Sequence, residues 1–224
     1  MPPSSIPSIA IHASADRFPV RRIYCIGRNY ADHAKEMGGI VEREQPMFFM
    51  KPADALVTDG TDVPYPSATA DLHHEVEMIV ALQSGGSDID VASALNHVIA
   101  YGVGIDLTRR DLQAAAKKSG RPWDTAKGFD HSAPVSALRL ASEIGHPQRA
   151  QLSLQVNGVI RQQTDIADMA SSVAEIIHEL SRLFELRAGD LIFTGTPAGV
   201  AALQIGDRFH AELERIASLD GRIV

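Results

Sequence analysis

Asp71-Leu72-His73-His74-Glu75-Val76-Glu77-Met78-Ile79-Val80 sets two carboxylates two residues apart at the head of an apolar run. Side chains alternate along a strand, so Glu75 and Glu77 share one face with Ile79 and Ala81, while His74, Val76, Met78 and Val80 take the other. If protein covers the Ile79 face, two carboxylates point into it. Burying one unpaired ion costs on the order of several kcal/mol after relaxation, and a like charge alongside adds to that. The pattern therefore asks for a cation.

Downstream, the apolar run Val98 to Ile105 reads as a second strand and ends in Asp106, which puts a third carboxylate at a strand end. Three hard oxygen donors favour Mg²⁺ or Mn²⁺, with Ca²⁺ also compatible, over zinc. The plainer reading of the same residues is an exposed strand end carrying two glutamates and an aspartate capping a turn.

Further strands are expected at Arg21 to Ile26, Pro46 to Met50, Gln151 to Val156 ahead of the Asn157-Gly158 hairpin signal, Asp190 to Thr194 and Gly206 to Leu213. Thr108 and Asp111 are spaced as a capping box for a helix that Gly120 stops. Ser172 and Glu175 have the same spacing, ahead of Val173, Ile176, Ile177, Leu180, Leu183 and Phe184 at helical period, with His178, Glu179 and Arg182 on the solvated side. Many short strands and few helices give an α+β chain dominated by sheet. Residues 1–20, rich in proline, read as an extended arm with little structure of its own; residues 21–224 read as one domain, with about 28–45 as a mobile lid.

The chain has 224 residues, 22% of them charged, and a formal net charge of −7. That balance argues against a general nucleic-acid or anionic-membrane surface. The single cysteine, Cys25, lies in an apolar strand and reads as a buried structural thiol, in keeping with a reducing cytoplasm. Neither a signal peptide nor a membrane span is legible, so a soluble cytoplasmic protein is expected.

Familiar catalytic signatures are missing. Gly102-Val103-Gly104 lacks the rest of a dinucleotide fingerprint, His74-Glu75-Val76-Glu77-Met78 lacks the second histidine of a zinc-protease helix, and no Gly-x-Ser-x-Gly elbow occurs. His33 and Glu36, three apart on a helical turn, can form a carboxylate-oriented general base or a solvated pair. Lys127, between Ala126 and Gly128-Phe129, is open to a site role or to the surface.

Taken in order, GRNYADHAKEMG (27–38), FFMKPADAL (48–56), DLHHEVEMIVAL (71–82), YGVGIDLTRRDLQ (101–113), AKKSGRPWDTAKGFDHSAP (116–134), the VNG hairpin and GDLIFTGTPAGV (189–200) resemble the fumarylacetoacetate hydrolase family. The resemblance implies a mixed β-sandwich roll of the fumarylacetoacetate hydrolase C-terminal domain type with few short helices, acting as a homodimer. It implies Mg²⁺ or Mn²⁺ held by Glu75, Glu77 and Asp106, and a water-activating pair, His33 and Glu36, on a closing lid. It also implies Lys127 as the group stabilising an enolate or oxyanion, with Arg28, Tyr30, Arg110, Gln113 and Thr196 contacting substrate. The reaction implied is hydrolysis of a carbon–carbon bond in a small-molecule 2,4-dioxo acid. DLHHEVE, GIDLTRRDLQ and GRPWDTAKGFDHSAP look most like members that cleave fumarylpyruvate in the gentisate route of aromatic degradation, although acylpyruvases and oxaloacetate decarboxylases share much of them. For the distal carboxylate of such a substrate, Arg28, Lys51, Arg109, Arg110, Lys117 and Arg121 are all available.

Overall fold

The computed structural model describes residues 6–36, 38–41, 46–58 and 60–224. The Val76–Leu82 strand is buried along its whole length, and its alternation feeds two separate cores. Val76, Met78, Val80 and Leu82 join one apolar cluster. Ile79 and Ala81 join another, so the face carrying Glu77 is covered by protein. This strand is central in a six-stranded sheet ordered Arg139–Leu140, Val98–Ile105, Val76–Leu82, Asp190–Phe193, Arg22–Gly27, Met47–Lys51. All neighbours are antiparallel except Asp190–Phe193 with Arg22–Gly27.

A four-stranded antiparallel sheet, Val159–Asp165, Gln151–Val156, Arg208–Leu213 and Ala217–Arg222, lies against it. Leu152, Leu154, Val156, Phe209, Ala211 and Leu213 meet Met78, Val80, Tyr101 and Val103 in the larger cluster, which makes the two sheets a sandwich. Asn157 and Gly158 both have positive φ (52° and 76°), the backbone that a two-residue hairpin turn with strand-matched twist requires. The expected mixed α+β sandwich with short helices is what the chain forms.

Four local expectations change. Asp71 to Val80 is not one strand: Leu72–His74 pairs with Thr108–Arg109 and Ala201–Ala202 in a small separate sheet, and the chain passes to the six-stranded sheet at Glu75. Thr108 caps no helix, because it is buried in that small sheet with its hydroxyl on Asp106 O; the Asp111 carboxylate instead binds Thr69 Oγ1 and the Ala70 N–H. Ser8–Ala10 and Arg17–Pro19 pair antiparallel and bury Ile9 and Phe18 in the second cluster, so the proline-rich arm is structured from apolar contact rather than from propensity. Within Val173–Leu183, the Ser172–Glu175 capping box forms in both directions. Leu183, however, is exposed, and His178 turns inward to Ile89 O at 2.7 Å. Part of the expected lid (residue 37 and residues 42–45) lies outside the described residues, as do residues 1–5 of the arm. No helix of the described residues is long and apolar enough to cross a membrane.

Candidate active site

Antiparallel register assembles the carboxylates. Val76 pairs with Ile105 and Glu77 with Gly104, so Asp106 follows directly opposite Glu75, where its N–H donates to Glu75 O at 2.8 Å. Gly104 must be glycine here, since a Cβ would lie 2.9 Å from both Ile79 Cδ1 and Pro134 O. On the other side of Val76–Leu82, the Asp190–Phe193 strand leads to Gly195, whose N–H donates to Glu77 Oε2 at 2.6 Å. Glu75, Glu77 and Asp106 are all buried, each with an oxygen within 4.8 Å of the others.

The protein supplies three cations of its own. Lys127, from the short Asp124–Lys127 helix, reaches Glu75 Oε2 (2.8 Å) and Asp106 Oδ2 (2.6 Å). Arg110 Nη2 lies 2.5 Å from Glu75 Oε1. Lys51 is 2.9 Å from Asp106 Oδ1 as an ion pair without a directed hydrogen bond, and also binds the carbonyls of Leu107 and Lys127. Burial opposes ionisation of Glu75, yet Lys127 and Arg110 outweigh it and hold its pKa below the usual carboxylate range. Burial likewise opposes the Lys127 charge, and Asp106 and Glu75 overcome it.

Glu77 is different. Among the described residues no lysine or arginine pairs with it, and its partner is the Gly195 N–H. Burial, then Asp106 and Glu75, push its pKa well above the carboxylate norm. A hard divalent cation fits this donor set: it would draw on three converging oxygens and relieve the one carboxylate that the protein's own cations leave uncompensated.

His33 and Glu36 stand on the Ala31–Glu36 helix, with His33 Nδ1 3.3 Å from Glu36 Oε2. Glu36 is itself anchored by the Gly199 N–H at 3.2 Å. Gly199 has φ +97°, and a Cβ there would fall 2.2 Å from Arg161 O, so only glycine lets this backbone approach. An acceptor carboxylate at Nδ1 places the proton there and leaves Nε2 as the basic atom. Burial lowers the His33 pKa, partly offset by Glu75 and Glu36, and so favours the neutral ring.

One cleft is lined by His33, Glu75, Glu77, Lys127, Arg28, Arg110, Gln113 and Thr196, together with Phe49, Lys117 and Trp123. Tyr30 stands apart from it, buried beside Met169 with a hydroxyl that has no hydrogen-bond partner among the described residues. Of the six basic residues available for a distal carboxylate, Lys51 is locked beneath Asp106 and Arg109 lies 4.3 Å above the Phe129 ring with a bond to Thr125 O. Arg121 is exposed outside the cleft. Arg110 is committed to Glu75, Gln113 and His73.

Two buried amides not singled out from the sequence brace the site. Gln162, buried on the hairpin strand Val159–Asp165, accepts from Val76 N–H (3.1 Å) and pairs with His74 Nδ1 (2.9 Å); its amide nitrogen donates to Thr196 Oγ1 (2.8 Å) and Pro197 O (2.9 Å). Asn29 joins the entry motif to the Gly195 turn, donating to Thr194 O and Ser171 O. Neither amide differs from a surface residue until its partners, far away in sequence, are in place.

Known proteins are similar to this chain over most of its length. The fumarylacetoacetate (FAA) hydrolase C-terminal family model matches residues 22–224. Oxaloacetate tautomerase YcgM of Escherichia coli K12 is 44% identical over 191 residues, spanning 85% of this chain and 87% of that protein. The mitochondrial oxaloacetate tautomerase FAHD1 of Rattus norvegicus is 41% identical over 199 residues, 89% of this chain and 90% of that one. The crystal structure of fumarylpyruvate hydrolase from Pseudomonas aeruginosa in complex with Mn²⁺ and pyruvate superimposes with a TM-score of 0.97 at 49% identity, covering 100% of this chain and 98% of that one.

Proposed function

The chain belongs to the fumarylacetoacetate hydrolase family, and from that premise we propose that it hydrolyses the carbon–carbon bond of a 2,4-dioxo acid, fumarylpyruvate giving fumarate and pyruvate. The observation that carries this reading is His33, bonded to Glu36, lining the same cleft as Glu75, Glu77 and Lys127, with Asp106 ion-paired to Lys127. Enolisation alone needs no activated water; hydrolysis does.

Glu75, Glu77 and Asp106 would hold Mg²⁺ or Mn²⁺, which when bound supplies Lewis-acid charge stabilisation and a template for a 2-oxo acid. His33 Nε2 takes a proton from water as the water oxygen bonds to the 4-carbonyl carbon. The C3–C4 bond then breaks, fumarate leaves with the new oxygen, and C3 takes a proton to give pyruvate. Lys127, held charged by Asp106 and Glu75, would stabilise the negative charge that gathers on the three-carbon fragment. Glu36, fixed by Gly199, keeps the His33 tautomer that exposes Nε2.

The second reading is oxaloacetate tautomerisation, favoured by the 44% identity to YcgM. The Mn²⁺-loaded protein, given fumarylpyruvate, acetylpyruvate and oxaloacetate separately with products identified, separates the two. His33→Ala should cut fumarylpyruvate cleavage about 100-fold or more while Mn²⁺ binding persists. Because the lowered His33 pKa makes the neutral base the resting form, the acid limb of that cleavage should fall below the ordinary histidine value of about 6.5. Fast keto–enol exchange of oxaloacetate with no cleavage of either acylpyruvate would sink the hydrolase assignment.

A further inference from the structure

Four cations line the cleft, and two of them have work already: Arg110 holds Glu75 and Gln113, and Lys127 bridges Glu75 and Asp106. Arg28 and Lys117 have no carboxylate partner among the described residues. Arg28 adopts φ +59°, with its guanidinium packed on the backbone of Gly39, where a Cβ would come within 3.1 Å of Cζ. Lys117 sits with Nζ 5.0 Å from the centre of the Trp123 ring.

We propose that Lys117, steadied on Trp123 and assisted by Arg28, binds the distal carboxylate of a dianionic acylpyruvate. This rests on the acylpyruvate reading of the cleft. Lys117 lies in the last turn of the Arg110–Ser119 helix, whose first residue grips Glu75 at the acidic end. Seven residues at about 1.5 Å each separate the two ends by roughly 10 Å, the scale of an extended seven-carbon dioate. Lys117 stays exposed at the cleft, and partial desolvation together with like charge from Arg110 and Arg28 lowers its pKa, so an incoming anion relieves repulsion as well as gaining an ion pair. The indole supports the lysine stem through a cation–π contact without consuming its N–H donors. Together with Phe49, 6.1 Å away ring to ring and tilted by 58°, it gives an aromatic side to the cleft along which a conjugated chain can lie.

The test uses the Mn²⁺-loaded full chain with Lys117→Met, which keeps the stem, and Lys117→Arg. The ratio of kcat/KM for fumarylpyruvate over acetylpyruvate, which lacks the distal carboxylate, should fall about 10- to 100-fold in Lys117→Met, the usual worth of a charged hydrogen bond, mainly through KM. Lys117→Arg should recover most of it. An unchanged ratio overturns the proposal, as does an equal loss on both substrates. Trp123 is the only tryptophan, so its emission reports fumarate binding without turnover. If the wild type cleaves neither acylpyruvate, the hydrolase reading fails on its own and the fumarate titration still decides Lys117: at least about tenfold weaker binding in Lys117→Met upholds it, and equal binding overturns it.

Discussion

Gln162 sets the polarity of two neighbours through a single amide. Backbone groups cannot change role, so the Val76 N–H and the Pro197 carbonyl fix which end of the amide is oxygen. Thr196 Oγ1 must then accept from Gln162, which leaves its own proton free to donate into the cleft, and His74 must carry its proton on Nδ1. Gln162→Glu reverses this arrangement: an oxygen now faces Thr196 and calls for the hydroxyl proton. Expected is a loss of about tenfold or more in kcat/KM, matched by Thr196→Val, with the double variant scarcely worse than either. Additive losses in that cycle would show the two residues acting independently. The charged site residues could be singled out by type, although spacing left each with a plainer alternative and only the motif resemblance gave them roles. Gln162 could not, since its partners lie 86 and 34 positions away.

At the scale of elements, identical spacing gave opposite outcomes. Ser172-x-x-Glu175 forms a reciprocal cap, with Glu175 N 3.3 Å from Ser172 Oγ and Ser172 N 2.7 Å from Glu175 Oε2. Thr108-x-x-Asp111 does not, because pairing of Thr108 with His73 takes the residue into a sheet before the helix begins. Tertiary pairing overrode a local signal, as it did at Glu75, where two sheets divide what periodicity alone reads as one strand. The helix at Val173 was legible because period and cap agree; the N-terminal hairpin was not, because strands of three residues present no period. Ser172→Ala should cost about 1 kcal/mol, lowering Tm by roughly 2–4 °C in a domain of this size. Thermal unfolding measures it, and an unchanged Tm would mean that the cap contributes nothing net.

For the molecule as a whole, the sandwich stores charge in its interior and balances it unevenly. Three carboxylates face Lys51, Arg110 and Lys127, but every cation is drawn to Glu75 or Asp106. The need for a cation was legible in the alternation of Glu75 and Glu77. That most of it comes from Lys51, Arg110 and Lys127 was not, since this depends on strand ends meeting across the sheet. Glu77 thus burdens the metal-free fold, and in the proposed metal site it would be an asset to the loaded one. Glu77→Gln keeps shape and an acceptor for the Gly195 N–H while removing the charge. In chelator it should melt at or above the wild type, since a buried unpaired charge has gone. With Mn²⁺ at about 100 times its Kd the wild type should gain roughly 2.7 kcal/mol, or about 5–10 °C in Tm, and Glu77→Gln should gain little. Calorimetric scans of both proteins with and without Mn²⁺ measure all four values. A variant that melts below wild type in chelator yet keeps the full Mn²⁺ shift would mean that Glu77 is a structural carboxylate and that the metal is held without it.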